Sequence, residues 1–216
     1  MSEVEPTTEE EHRDEALFEG DPEQAPEGLS TEELERRAAA LTQVRTFGDP
    51  ALRSRATPVS EFDDVLRDEV KLMVSIMRDA LGVGLAATQL GILHRVLVFQ
   101  AGRDAPAEAL VNPEIEWSST ELATAEEGCL SLPGVVVDVE RALHVRARGQ
   151  DEHGESVLVE ASGLEARVIQ HEIDHLDGML ILQRTTREQK REALRALREG
   201  PAPGDGQRPE PAATGS

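Results

Sequence analysis

Apolar residues recur at helical spacing between residues 60 and 80. Side chains three and four positions apart share one helix face. Ser60 and Asp63 resemble a capping box at the start of this segment, and the glycine-rich run 82–91 ends it. The apolar positions are Phe62, Val65, Leu66, Leu72, Met73, Ile76 and Met77. The pattern predicts a long helix that packs on the core.

Short runs of apolar and β-branched residues predict strands in the second half of the chain. The candidate strands are 94–100, 135–140, 142–148 and 156–161. A turn at 151–154 joins the last two into a hairpin. Helices are expected at 31–42, from Ser162 and Glu165 (a second capping box) to about 176, and at 187–199. Strands in a run followed by helices predict an α+β fold, with antiparallel β-sheets packed around a central helix and with a C-terminal helix.

The charge is spread unevenly, and this predicts the domain boundaries. Residues 1–30 contain 11 acidic side chains and one arginine, too little apolar surface to offset the entropy of ordering. We therefore expect 1–30 to be a disordered acidic extension and 31–200 to be the folded domain. The segment 201–216 is rich in Pro, Gly and Ala, and is expected to be a disordered tail.

Composition and charge exclude several classes of protein. The 216 residues include 22 Lys+Arg and 43 Asp+Glu, a net charge of −21, which is the wrong sign for general or sequence-specific binding of nucleic acid. There is no apolar run long enough to span a membrane and no secretory signal pattern, so we expect a cytoplasmic protein. The one cysteine, Cys129, excludes an intrachain disulfide.

The segment 162–178 carries the most informative pattern, His171-Glu172-Ile173-Asp174-His175. Helical periodicity places both histidines on one stripe and Glu172 inside the apolar arc, with Gln170, Asp174 and Asp177 on the opposite, polar side. A buried carboxylate beside two histidines one turn apart is explained by a divalent metal, because two imidazoles chelate one ion while Glu172 handles a proton. The alternative is a hydrogen-bonded pair of core histidines.

A catalytic metal needs a third protein ligand, and no histidine follows His175. Cys129 lies upstream in the segment Glu127-Gly128-Cys129-Leu130-Ser131. A lone cysteine is usually a small buried apolar residue, but the flanking glycine and the lack of other soft ligands favour a metal ligand here. Catalysis by a cysteine nucleophile is the weaker alternative, since it would leave the histidine pair unexplained.

Three segments together resemble the motifs of the peptide deformylase family. They are 82–89 (GVGLAATQ, for G-x-G-L-A-A-x-Q), 127–131 (EGCLS) and 171–175 (HEIDH, for H-E-x-D-H). Residues 49–53 (DPALR) also resemble the early D-P-x-L-R segment of that family. The resemblance covers about residues 42–185, and the three motifs in this order are highly specific.

The resemblance implies an enzyme that hydrolyses the N-formyl group from the initiator methionine of newly synthesised polypeptides and releases formate. It implies one divalent metal, natively Fe²⁺, for which Ni²⁺, Co²⁺ or Zn²⁺ can substitute. The implied metal ligands are Cys129, His171 and His175. Glu172 would be the general base and then the acid, and Gln89 and the backbone N–H of Leu130 would stabilise the oxyanion. Backbone groups of Val83, Gly84 and Gly128 would pair with the extended peptide, and Arg167 would lie near the methionine pocket.

Two other classes of function stay open on the residues alone. One is a different metallohydrolase, such as a zinc endopeptidase or amidase. The other is a non-catalytic protein with a structural metal, although the presence of Glu172 and Gln89 argues against it.

The predicted C-terminal helix offers a candidate contact with the ribosome, where nascent chains emerge. Its basic residues are Arg187, Lys190, Arg191, Arg195 and Arg198, and the four arginines fall within a stripe of about 80°. The alternative is a solvated helix face whose acidic residues balance these charges.

Overall fold

Two antiparallel sheets and four helices form the part of the chain that the structure, a computed structural model, describes: residues 28–102 and 105–199. The helices are α1 (Thr31–Leu41), α2 (Asp64–Asp79), α3 (Gly163–Leu176) and α4 (Arg187–Glu199). The strands are β1 (Gly84–Ala86), β2 (Val96–Phe99), β3 (Glu108–Ser118), β4 (Leu122–Glu127), β5 (Val137–Ala142), β6 (His144–Gln150) and β7 (Ser156–Ser162). Short 3-10 turns span Pro50–Arg53, Ala87–Leu90 and Ile181–Gln183. The predicted α+β fold is confirmed, including the C-terminal helix at 187–199.

The larger sheet has five strands in the order β1-β2-β3-β6-β7, and every neighbouring pair is antiparallel. The smaller sheet pairs β4 with β5. The predicted hairpin is confirmed, because β6 and β7 pair from His144 opposite Ser162 to Gln150 opposite Ser156. The sequence pattern misses three strands. β1 has only three residues, and β3 and β4 carry many exposed polar positions.

Strand β2 lies between two layers of the core, which explains its unbroken apolar sequence VLVF. Leu97 and Phe99 belong to the cluster that packs against α3. Val96 and Val98 belong to a second cluster on the other face, formed with α1 and α2. A strand covered on both faces needs apolar residues at every position. The larger sheet therefore has α3 on one face and α1 and α2 on the other.

A third apolar cluster connects the segment after β4 to the C-terminal helix. Cys129 and Leu132 pack there with Val137 and Val139 of β5 and with Ala193 of α4. Strand β5 begins at Val137 rather than at the predicted residue 135, because a turn precedes it. In that turn the N–H of Val135 donates to the carbonyl of Leu132 at 3.1 Å, and Gly134 has a φ of 71°.

Helix α2 begins later than the capping pattern predicts. Asp63, not Ser60, is the N-cap, and its carboxylate accepts a hydrogen bond from the N–H of Leu66 at 3.0 Å. Two residues of the predicted apolar face are exposed, Val65 at 70% and Leu72 at 47%. Both lie roughly 100–120° from Leu66 around the helix axis, at the outer edge of the packed stripe beyond Ile76. That stripe consists of Leu66, Val70, Met73, Ile76 and Met77.

The second predicted capping box is also wrong. The hydroxyl of Ser162 lies 2.8 Å from Nδ1 of His144 and makes no capping hydrogen bond to α3. Helix α1 does have a capping box, formed by Ser30 and Glu33. The predicted extension 1–30 lies outside the described residues except for 28–30, and the predicted tail 201–216 lies outside them entirely. Among the described helices, none is long and apolar enough to cross a membrane.

The cap of α2 provides a direct test of the fold. Asp63→Ala removes the acceptor for the Leu66 N–H, and we expect it to lower the free energy of unfolding by about 1 kcal/mol in urea denaturation. Ser60→Ala is the matched control and should change it by less than about 0.5 kcal/mol, because Ser60 is exposed. Equal effects of the two substitutions would contradict the observed start of the helix.

Candidate metal centre and active site

Helix α3 and the segment after β4 bring one cysteine and two histidines together. The ligand atoms of Cys129, His171 and His175 all lie within 4.8 Å of one another, and all three residues are buried. Nε2 of His175 lies 3.2 Å from Sγ of Cys129 and 3.2 Å from Nε2 of His171. The prediction that these side chains converge is therefore confirmed.

The chemistry of this cluster fits a divalent transition metal. One sulfur and two imidazole nitrogens are ligands that soft and borderline ions accept. Nδ1 of His175 is buried with no hydrogen-bond partner among the described residues, so the polar contacts of this ring are those to the other two ligand atoms. Three protein ligands leave a coordination position for water or substrate, as catalytic sites require.

The carboxylate of Glu127, at the end of β4, orients His171. Its Oε2 lies 3.0 Å from Nδ1 of His171, which directs Nε2 of that ring at the cluster. Arg141 donates to both oxygens of this fully buried carboxylate, at 2.8 and 2.9 Å, and Arg167 donates to Oε1 at 2.7 Å. Burial alone would raise the pKa of Glu127, but hydrogen bonds from Arg141 and His171 hold it far below the usual range. Glu127 is therefore a carboxylate throughout the physiological pH range.

The two histidines have pKa values displaced in opposite directions. Burial would lower the pKa of His171, but hydrogen bonds to Cys129 and Glu127 raise it well above its usual value. Burial lowers the pKa of His175 well below its usual value, and the charge on His171 lowers it further. His175 is therefore held neutral, the form in which an imidazole binds a metal, whereas His171 has to give up its proton when a metal binds.

Glu172 is fully buried, as the periodicity predicts, and lies against Gly84 of β1. A Cβ atom at residue 84 would come within 2.9 Å of both Cδ of Glu172 and Cγ1 of Val168. Real Cβ contacts are longer than this, so residue 84 has to be glycine for α3 to approach the strand so closely. The carboxylate thus sits between β1 and the two histidines that flank it on α3.

Gln89 is positioned beside Cys129 by a hydrogen bond from the backbone of Ala86, three residues earlier. Its Oε1 accepts a hydrogen bond from the N–H of Ala86 at 2.8 Å. Its Nε2 then lies 3.8 Å from Sγ of Cys129 and 3.4 Å from Oγ of Ser131. Leu130, between these two residues, is 4% exposed. The structure thus brings Gln89, Leu130 and the metal-ligand cluster together.

Strand β1 is an edge strand of the larger sheet, and this determines where its backbone groups face. The carbonyl of Val83, just before the strand, accepts a hydrogen bond from the N–H of Gln100 at 2.8 Å, so this carbonyl faces the neighbouring strand. Gly84 lies opposite Phe99 in the next register position. Because hydrogen-bonded and non-bonded pairs alternate in antiparallel sheets, the backbone groups of Gly84 face the open edge. Gly128 is buried beside Glu127 and Cys129.

The polar side of α3 is not the solvated face that the sequence predicts, because Asp174 is buried and Gln170 and Asp177 are half-buried. Asp174 is 5% exposed and accepts a hydrogen bond from Nη1 of Arg141 at 2.6 Å. Gln170 bonds both backbone groups of Ala142, at 2.9 and 3.2 Å. Arg167, expected near the methionine pocket, donates to Glu127 and to two carbonyls of the smaller sheet, those of Ala123 and Val139. The sequence alone assigns no role to Glu127, Arg141 or Asp174; the signals for the two acidic residues are their positions in the EGCLS and HEIDH motifs.

Comparison with known proteins bears directly on this site. The model of the family described as polypeptide deformylase matches residues 41–191. The chain belongs to this family. It is 47% identical over 160 residues to the peptide deformylase of Acidothermus cellulolyticus, which covers 74% of this chain and 87% of that protein. It is 48% identical over 144 residues to the peptide deformylase of Thermotoga neapolitana, or 67% of this chain and 87% of that protein.

A solved deformylase structure agrees with the fold. The peptide deformylase of Synechococcus elongatus in complex with actinonin superposes with a TM-score of 0.67 at 42% identity, covering 70% of this chain and 85% of that one. The expectation that the chain is a peptide deformylase is therefore confirmed. It is a hydrolase that acts in protein biosynthesis. Deformylases are metal-dependent, and the cluster of Cys129, His171 and His175 is the corresponding candidate site.

Proposed function

We propose that this enzyme removes the formyl group from the N-terminal formylmethionine of newly synthesised polypeptides, with Cys129, His171 and His175 holding one divalent metal. The observation that supports this most is the placement of a buried carboxylate, Glu172, on the same helix as both histidines and against an edge strand. A proton-accepting group, a metal-ligand cluster and a strand open to a peptide then meet in one place.

The metal is proposed to be Fe²⁺ in the cell, with Ni²⁺, Co²⁺ or Zn²⁺ able to replace it. A thiolate with two imidazoles accepts each of these ions. When bound, the ion supplies a Lewis acid that lowers the pKa of water and polarises the formyl oxygen.

Glu172 is the proposed general base and then the general acid. Its carboxylate accepts the proton of the attacking water as the C–O bond to the formyl carbon forms. It then donates that proton to the nitrogen of methionine as the C–N bond breaks, which yields formate and a free amine. The burial of Glu172 excludes bulk water from this proton transfer.

Gln89 and Leu130 are the proposed donors to the oxyanion that develops on the formyl group. The hydrogen bond from Ala86 fixes the amide of Gln89, so its Nε2 is already oriented beside Cys129. The N–H of Leu130 is the second donor, one residue after the ligand. Each fixed donor of this kind contributes about 3 kcal/mol to transition-state stabilisation.

An extended peptide is proposed to bind along the open edge of β1. Gly84 would supply its outward-facing N–H and carbonyl, and Gly128 would contribute on the opposite side of the peptide. Val83 precedes the first residue of β1, so the alternation of the strand does not fix its N–H, and this N–H is assigned to the substrate while its carbonyl accepts from Gln100.

The general-base assignment predicts separable effects on metal content and turnover. Glu172→Gln keeps the volume of the side chain but removes the base, and should lower turnover on a formyl-Met peptide at least ~100-fold. Metal content, measured by mass spectrometry of the purified protein, should stay near one ion per chain. Glu165→Gln, on the first turn of α3, is the matched control and should leave both values unchanged. Loss of metal together with turnover would make Glu172 a ligand and refute the assignment.

The exposed face of α4 is the proposed contact with ribosomal RNA. Ala193, Leu194 and Leu197 pack the helix on the third apolar cluster. This leaves Arg187, Arg191, Arg195 and Arg198 exposed on the other side. Arg195 pairs with Glu199 at 2.8 Å. The protein as a whole is acidic, but the positive charge of this face could attract a polyanion such as RNA.

Charge reversal tests this contact. Changing Arg191, Arg195 and Arg198 to Glu should weaken co-sedimentation with ribosomes at low salt several-fold and leave turnover on a short formyl-peptide intact. The control changes Arg36, Lys71 and Arg78 to Glu. It alters the net charge of the protein by the same amount, but on the exposed faces of α1 and α2. If both triple variants co-sediment equally across a salt series, α4 is only a solvated face.

A further inference from the structure

One face of α3 contacts the smaller sheet through hydrogen bonds. Arg167, Gln170 and Asp174 recur at intervals of three and four residues, so they lie on the same side of the helix. All three side chains form hydrogen bonds to that sheet. Arg167 donates to the carbonyls of Ala123 and Val139, and Gln170 bonds to the backbone of Ala142. The contact of Asp174 differs from the other two because its partner is a charged side chain, Arg141.

Arg141 bridges two carboxylates with one planar group. Its Nε and Nη2 donate to Glu127, and its Nη1 donates to Oδ2 of Asp174 at 2.6 Å. The side chain of Arg141 is only 4% exposed. Burial would lower the pKa of this guanidinium, but Glu127 and Asp174 raise it above its usual value, so it is always charged. A planar fork of this kind fixes the direction of both partners at once.

The oxygen of Glu127 that orients His171 is shared. Oε2 accepts from Nη2 of Arg141 at 2.9 Å and lies 3.0 Å from Nδ1 of His171. The position of Arg141 therefore determines whether Oε2 bonds more strongly to Nη2 of Arg141 or to Nδ1 of His171. Without Asp174, Nη1 of Arg141 would lose its carboxylate partner in a buried site, and the guanidinium would move toward Glu127, the remaining carboxylate.

We propose that Asp174 is a positioning residue for the metal centre, which acts through Arg141 and Glu127 on the ring of His171. Asp174 holds Arg141 from the side opposite Glu127, and so keeps Oε2 of Glu127 available to Nδ1 of His171. This inference rests on the proposed metal centre. It gives Asp174 a function beyond joining α3 to the smaller sheet.

Arg184 completes this arrangement from the solvent side. Its guanidinium donates to both oxygens of Asp174, at 2.9 Å for the Nε contact. Both residues line a cleft of about 790 Å³ on the side of α3 that carries Asp177 and Gln170. Together with Arg141, Arg184 leaves the side chain of Asp174 only 7% exposed to the cleft, which keeps the pair between Asp174 and Arg141 in a low-dielectric surrounding.

Asp177 provides the matched control. It lies just beyond the last residue of α3, lines the same cleft and pairs with Arg95 at 2.8 Å and Arg55 at 3.6 Å. None of its ion pairs includes Arg141 or Glu127. A purely structural role for acidic groups on this side of α3 would make Asp174 and Asp177 equivalent toward the metal.

The experiment measures release of cobalt from the cobalt-loaded enzyme to excess chelator, followed by the visible absorption of the bound ion. Asp174→Asn should release cobalt at least ~5-fold faster than the wild type, with a changed absorption spectrum. Glu127→Gln, which alters the direct partner of His171, should accelerate release by about 10- to 100-fold. The release rate of Asp177→Asn should stay within twofold of the wild-type rate, with an unchanged spectrum. Its melting temperature should fall, because the variant loses the ion pairs with Arg95 and Arg55.

Two results would overturn the proposal. One is equal release rates for Asp174→Asn and Asp177→Asn. The other, decisive if Asp174→Asn does not fold, is a wild-type release rate in Arg141→Lys, whose ammonium cannot form the same planar fork. If the wild-type protein itself shows no thiolate-to-cobalt absorption, the proposed metal centre fails, whereas equal rates with normal absorption contradict only the role of Asp174.

Discussion

The buried carboxylate of Glu127 joins the parts of the molecule that must meet at the metal centre. An isolated charge in this position would cost several kcal/mol, so the fold is stable only when its partners are in place. Those partners come from two elements: Arg141 on β5, and Arg167 and His171 on α3. Glu127 itself ends β4, two residues before Cys129. Formation of this network therefore brings Cys129, the proposed third ligand, against the helix that carries both histidines.

Three faces of helix α3 contact three different parts of the molecule. Val168, Ile169 and Leu176 pack into the core beneath the larger sheet. The histidines and Glu172 face Cys129 and the edge strand β1, where Gly84 allows the close approach. The third face, with Arg167, Gln170 and Asp174, bonds to the smaller sheet. A helix fixed on every side can hold ligands in one geometry, which lowers the entropy lost when metal or substrate binds.

Features set by local chemistry could be predicted from the sequence. The bounds of α4 and the β6–β7 hairpin follow from periodicity and turn residues, and the H-E-x-x-H spacing places both histidines and a buried Glu172 on one helix. The start of α2 could not be predicted, because Ser60 and Asp63 are both good caps and only tertiary packing selects Asp63. The buried position of Asp174 could not be predicted either. Its partner Arg141 is 33 residues away in the sequence, and a polar stripe looks the same whether it faces water or buried arginines.

We propose that Cys129, His171 and His175 together hold the metal, and X-ray absorption at the iron edge of anaerobically iron-loaded protein can detect these ligands. From this assignment we expect one sulfur neighbour and two imidazole nitrogens in the first shell, with the sulfur contribution absent in Cys129→Ser. A first shell of nitrogen and oxygen alone in the wild-type protein would contradict it.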